Sequence, residues 1–183
     1  MRIAHSIERG DAMLIETVYD RQAAVRYALQ WAFARNPRFY DFEDIGGDCT
    51  NYVSQCLYAG CGVMNFSREN GWYYISSYDR SPSWTGVEFL QSFLLTNEGE
   101  AVYGRAALLS ELLPGDVIQL QNSAGRFYHS LFVTYVQTPL YGETTEENIF
   151  VSAHSYDVRN RRLSRYSYSV ALGIHIEGAR MHV

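Results

Sequence analysis

Lysine is absent from this 183-residue chain, so the 15 basic side chains other than histidine are all arginine, and with 20 acids the formal net charge is −5. No basic run of the kind that tracks a phosphate backbone stands out, which makes nucleic acid a poor partner. Cysteine is scarce. Cys49, Cys56 and Cys61 form no Cys-x-x-Cys pair, which leaves little support for a structural zinc cage or a thioredoxin-like couple. Three thiols cannot all pair internally, and a reduced set is the reading that fits. A long apolar run is missing too: Met1 to Glu16 is interrupted by charges, so it reads as neither an export signal nor a membrane span. As supplied, the chain is expected in the cytoplasm; if it is a fragment of an exported protein, or leaves the cell by a non-classical route, cell-wall association is expected instead. No repeat and no Pro/Ser/Gly linker divides it. One domain over 1–183 follows, large enough to bury roughly 70% of the surface its unfolded form exposes.

What is present is organised around Gly46-Gly47-Asp48-Cys49-Thr50-Asn51-Tyr52-Val53-Ser54-Gln55. Two glycines open a tight turn, Asp48 is placed to cap the next helix, and Cys49 stands in its first turn. Tyr52, Val53, Cys56 and Leu57 follow at helical spacing, and Gly60 and Gly62 supply a stop. A thiol at a helix N-terminus is easier to ionise, and the thiolate is the nucleophile. A lone buried cysteine is more often a packing residue. The position at the helix start shifts that balance for Cys49, whereas Cys56 and Cys61 read as packing.

Earlier in the chain, Asp20 caps a helix through Ala23 to Phe33 that Asn36-Pro37 ends. Asn65 to Trp84 then forms a long aromatic and polar stretch without either periodicity. Its Trp72 and Trp84 are candidates for contacts to a sugar or peptide, and the same stretch reads equally as a covering loop whose aromatics plug the core. A helix over Trp84 to Leu95 follows. Pro114-Gly115-Asp116 turns into a strand at Val117 to Gln121, with further strands expected at Arg126 to Val136, Asn148 to Ser155 and within Ser164 to Val183. Helices first and an antiparallel sheet second make an α+β order.

A thiol nucleophile needs an imidazole base. His5 and His182 lie near the ends of the sequence, and His175 is on the polar side of a late strand. His129 stands at the start of a strand among apolar same-face neighbours, an odd place for an imidazole without a partner. Catalysis outweighs a satisfied core histidine there.

The stretch from Gly46 to Leu57, with Trp84-Thr85, Pro114-Gly115-Asp116-Val117, Tyr128-His129-Ser130 and Ala153-His154-Ser155, resembles the bacterial putative amidase domain family of papain-like cysteine hydrolases, related to NlpC-type and CHAP-type cell-wall hydrolases. The resemblance covers about 19–180. It implies a papain-like fold, with the nucleophile heading a helix packed on an antiparallel sheet that bears the histidine. It also implies amide-bond hydrolysis, with peptidoglycan stem peptides or related peptides as substrate. Cys49 matches the nucleophile, His129 the base and His154 the third polar position; Tyr40 matches a tyrosine near the oxyanion.

The expected enzyme is therefore a cofactor-free and metal-free cysteine amidohydrolase. Alternatives are acyl transfer by the same residues, a catalytically inactive glycopeptide-binding module, and a zinc site of Cys49, His129 and His154. Nothing in the sequence sets an oligomeric state. A hairpin pairing His129 directly with His154 would let the second imidazole orient the first, with Asp157 turned to the opposite face.

Overall fold

A computed structural model describes residues 13–183, which form a mixed α/β fold of four helices and a seven-stranded antiparallel sheet. His5 lies outside the described residues. The elements in order are β1 (Leu14–Thr17), α1 (Arg21–Trp31), α2 (Cys49–Cys61), α3 (Pro82–Thr85), α4 (Val87–Thr96), β2 (Ala101–Ala107), β3 (Val117–Gln121), β4 (Phe127–Val136), β5 (Ile149–Ala153), β6 (Val158–Arg162) and β7 (Val170–His182). No helix among the described residues is long and apolar enough to cross a membrane.

Local chemistry accounts for the helix ends. The Asp20 carboxylate accepts the Ala23 amide at 2.9 Å and starts α1. Gly62 closes α2 in the left-handed conformation, with φ of 69°, and donates its amide to Tyr58 O at 2.8 Å. Gly60 does not stop α2. It lies inside the helix, where an added Cβ would collide with the Tyr19 ring, so its role is close approach. Gly86 separates α3 from α4, where periodicity alone predicts one helix from Trp84 to Leu95.

β7 holds the sheet together. Gly173 and Ile174 face both Ala107 and Ala106 of β2 and Ile118 and Val117 of β3, while Ala179 faces both Val102 and Thr17. β2 therefore occupies one edge of β7, and β3 and β1 share the other. β4, β5 and β6 continue outward from β3. The expected order of helices before sheet is thus modified, because β1 precedes α1.

Two apolar layers form on the two faces. Val117, Phe132, Ile174 and Ile176 pack with α2 and α4 residues such as Tyr52, Leu57, Leu90 and Phe93. Ile118, Leu120, Leu131, Val133 and Val151 pack beneath Leu163 on the other face. Trp72 and Trp84 belong to the first layer with no exposed surface, their ring centroids 4.9 Å apart. Trp72 Nε1 donates to Ser54 Oγ at 3.0 Å and Trp84 Nε1 to Asn51 Oδ1 at 2.9 Å. Of the two readings of this loop, the core plug is the one observed. Neither tryptophan can meet a ligand in this fold, because each spends its face on packing and its N–H on α2.

The consequence is measurable. Trp84→Ala is expected to destabilise the fold by about 3–5 kcal/mol, the cost of removing a buried aromatic. Chemical denaturation of both proteins checks this; an unchanged midpoint would contradict the burial.

Candidate active site

Cys49 is the first residue of α2, and every residue from Asp48 to Leu57 is buried. The turn before it depends on Gly46 and Gly47, with φ of 96° and 98°, values that exclude most side chains. Asp48 does not cap α2 through its side chain. Its Oδ1 instead accepts the Phe42 amide at 3.0 Å and Asn51 Nδ2 at 2.7 Å, and its Oδ2 lies 2.5 Å from His154 Nδ1. The carboxylate thus ties the preceding loop to the helix and to the end of β5.

His154 is fully committed in this arrangement. Its Nε2 lies 2.8 Å from Trp31 O, the last carbonyl of α1, and its ring stacks on Tyr52 with centroids 4.1 Å apart. A carbonyl only accepts, so Nε2 donates to it, while Nδ1 faces the Asp48 carboxylate. Both ring nitrogens are thus engaged away from His129.

The expected pairing of His129 with His154 fails by one residue. Phe132 faces Ser152 and Val133 faces Val151, a ladder that would set His154 against Ser130 if it continued past the end of β5. A slip of one position turns a side chain to the other face of the sheet. Asp157 does not replace His154: Arg35 holds its two oxygens at 2.9 and 3.0 Å. Arg35 also approaches Asp48 Oδ2 at 3.4 Å and Asp41 Oδ1 at 3.2 Å. His175, expected on a polar surface, lies 2.8 Å from the buried Asp116 carboxylate.

Cys49 and His129 line one cavity of about 530 Å³, whose other walls include Tyr128, Tyr156, Arg161 and Tyr166. The two residues reach it from different sides. Ser130 bonds Thr50 of α2 at 3.0 Å, whereas His129 alternates with Leu131 and Val133 and pairs with Leu120 on the opposite face. Tyr40 lies outside this cavity. It is half-exposed and lines a separate hollow with Pro37 and Tyr74. A third hollow of about 550 Å³, bordered by Phe66, Tyr73 and Phe89, has neither thiol nor imidazole in its walls, so the chemistry singles out the Cys49 cavity.

The electrostatics differ from the expectation of an acidified thiol. Burial pushes the Cys49 thiol above its ordinary value, against weaker lowering by hydrogen bonds from Ser130 and Thr50. Desolvation outweighs the helix terminus. Burial also pushes His129 down to about 4, and neither of its ring nitrogens has a hydrogen-bond partner among the described residues. The resting pair is a neutral thiol and a neutral imidazole. Among the described residues no three His, Cys, Asp or Glu side chains are grouped to hold a metal ion, so the alternative ligand set of Cys49, His129 and His154 does not assemble.

Several cavity residues were not singled out from the sequence. Tyr166 Oη is buried without a hydrogen-bond partner among the described residues, and burial raises that phenol to about 12. Arg161 stacks over the Tyr166 ring at 4.8 Å. The available signal was compositional: four arginines fall within 159–165, in a chain otherwise sparing of clustered basic charge. Ser155 and Tyr156 both take positive φ, 58° and 76°, in the turn from β5 to β6. Ser155 Oγ accepts the Asp48 amide at 2.9 Å and donates to Glu43 at 3.0 Å.

The model of a family described as a putative amidase domain matches residues 18–183. The uncharacterized protein YhbB of Bacillus subtilis (strain 168) is 34% identical over 168 residues, 90% of this chain and 50% of that relative, so the chain spans about half the relative's length. No solved structure matches the chain.

Burial of His129 generates a pH prediction. The folded chain keeps this ring neutral down to about pH 4, whereas the unfolded chain takes a proton near 6.5. The unfolded chain binds more protons between those values. The contribution is therefore fully present above pH 6.5 and lost as pH falls toward 4, by up to roughly 1.4 kcal/mol per pH unit. Urea unfolding from pH 7 to pH 4 should give a steeper loss for the wild type than for His129→Gln; parallel profiles would rule out a buried neutral ring.

Proposed function

The chain belongs to the putative amidase domain family, and from that premise we propose that it hydrolyses an amide bond with Cys49 as nucleophile and His129 as general base. The observation that carries the reading is the shared cavity, in which a thiol at the start of a helix and a solvent-poor imidazole open on one space large enough for a peptide segment. A nucleophile heading a helix packed on an antiparallel sheet also supports a papain-like fold of the NlpC or CHAP type.

The chemistry proceeds from the neutral pair. His129 takes the Cys49 proton as sulfur attacks the substrate carbonyl, so charge separates only when an electrophile is present. The negative oxygen that develops needs donors already aimed at it. Tyr52 is the first residue of α2 whose amide reaches a carbonyl within the turn, at Asp48 O, so the Cys49 amide is available at the open end of the helix. The Tyr166 ring walls the cavity, but its hydroxyl has no accessible surface to offer a substrate oxygen. Imidazolium then protonates the leaving amine, and water, deprotonated by His129, cleaves the thioester to free acid and thiol. His154 takes no proton in this scheme; through Asp48 it positions the turn that presents Cys49. The proposed substrate is a peptidoglycan stem peptide or a related peptide.

Digestion of peptidoglycan fragments, read by mass spectrometry for new carboxyl and amine termini, tests the proposal. Wild type should release them and Cys49→Ala should not, with both proteins melting alike; equal products from the two would sink the assignment. Iodoacetamide should label Cys49 before Cys56, which has no exposed surface, and before Cys61, whose thiol is raised to about 11. Tyr166→Phe removes a buried hydroxyl that has no partner among the described residues, so Tm should hold or rise. A clear fall in Tm would contradict an unpaired hydroxyl.

A further inference from the structure

The charge in the Cys49 cavity runs against the charge of the chain. Among the described residues lining it, Arg161 and Arg165 are cationic and Glu43 is the one acid, in a protein of net charge −5. Glu43 is already engaged, by the Ser155 hydroxyl at 3.0 Å and by Arg35 at 3.7 Å. Neighbouring Arg162 is paired with Glu147 at 3.4 Å, but no carboxylate of the described residues lies within ion-pair distance of Arg161 or Arg165. One N–H of Arg161 donates to Arg165 O at 2.9 Å, and its guanidinium lies over the Tyr166 ring. That leaves the remaining N–H groups of Arg161 and all those of Arg165 without acceptors among the described residues. A guanidinium presents five donors in a planar fork that matches a carboxylate, and a stacked one is already oriented.

We infer that the Cys49 cavity takes a substrate bearing a free carboxylate close to the carbonyl under attack, held by Arg161 and Arg165. The inference rests on the reading of Cys49 as nucleophile and adds a substrate class to it: an acidic or carboxyl-terminal peptide in preference to its amidated form. Two cations near the carbonyl also favour the negative oxygen that forms there, so the same pair contributes to binding and to attack.

Alkylation of Cys49 tests this without knowledge of the scissile bond. Iodoacetate and iodoacetamide deliver the same carbon to sulfur and differ in the carboxylate. The ratio of their rate constants at Cys49, normalised to the ratio for free N-acetylcysteine at the same pH and ionic strength, should favour iodoacetate by about twofold to fivefold, the range expected of partly exposed ion pairs. Arg161→Gln and Arg165→Gln should each reduce that preference, and Arg161→Lys should restore part of it. Arg159→Gln makes the same change in net charge outside the cavity and should leave it intact. A normalised ratio near one, an equal loss in Arg159→Gln, or a Cys49 inert to both reagents would each overturn the proposal. A preference that depends on Arg161 and Arg165 in a protein that cuts no amide would keep carboxylate recognition and remove the amidase reading.

Discussion

The carboxylate of Asp48 is the constraint on which the site depends. It has no exposed surface, yet it meets a loop amide, an Asn51 side-chain amide and an imidazole, so its desolvation is offset by directed donors. Its position between Gly47 and Cys49 means that whatever fixes this carboxylate also fixes the start of α2 and Cys49. His154 transmits the constraint to the C-terminal carbonyl of α1 and, through stacking, to Tyr52, whose hydroxyl donates to Ala28 O at 2.6 Å. Thr50 completes the support from below, through Ser130 and the Gln119 amide that donates to Ser130 at 3.2 Å.

A second buried carboxylate does for the other end of α1 what Asp48 does for the first. Asp116 accepts Arg21 at 2.7 Å, the Ile176 amide at 3.0 Å and the Leu113 amide at 2.8 Å, with His175 on its remaining side. Its neighbour Gly115 accepts the Tyr19 hydroxyl at 2.8 Å. α1 contributes nothing to the cavity wall but is clamped at both ends by ion and hydrogen-bond networks, and α2 packs against it. Burying a charge is tolerable only when its partners are in place. The two carboxylates therefore act as gauges of correct docking, each satisfied only when helix and sheet are in register.

Much of this was legible in the sequence, and what was not has physical reasons. Asp20, Gly62 and the spacing of Tyr52, Val53 and Leu57 locate α1 and α2, because caps and helical periodicity are local signals. The strands β3 and β4 alternate clearly for the same reason, which places Cys49 and His129 on their elements. The β5–β6 hairpin was hidden because its turn uses Ser155 and Tyr156 at positive φ, where glycine or asparagine is the usual mark. The one-residue register of β4 against β5 is a long-range property, and a bulge at Thr134 interrupts the ladder. The partnership of Asp48 with His154 spans 106 residues, so spacing carries no trace of it. Trp72 and Trp84 misled as ligand contacts because a loop rich in tryptophan looks alike whether its rings face solvent or the interior.

The double pairing of β7 has a consequence for how the chain comes to its fold during synthesis. β1, β2 and β3 all find their hydrogen bonds on the strand that emerges after them, and β1 waits some 165 residues for its partner at Met181 and His182. Until that strand leaves the ribosome, α2 can form but has no finished sheet to cover, and β3 presents an open edge to the cell. Sheets closed by such distant segments assemble slowly, since the entropy of bringing the ends together is met before any contact repays it. A nascent chain halted shortly before β7 would carry Cys49 at the head of α2 with the sheet beneath it unbuilt.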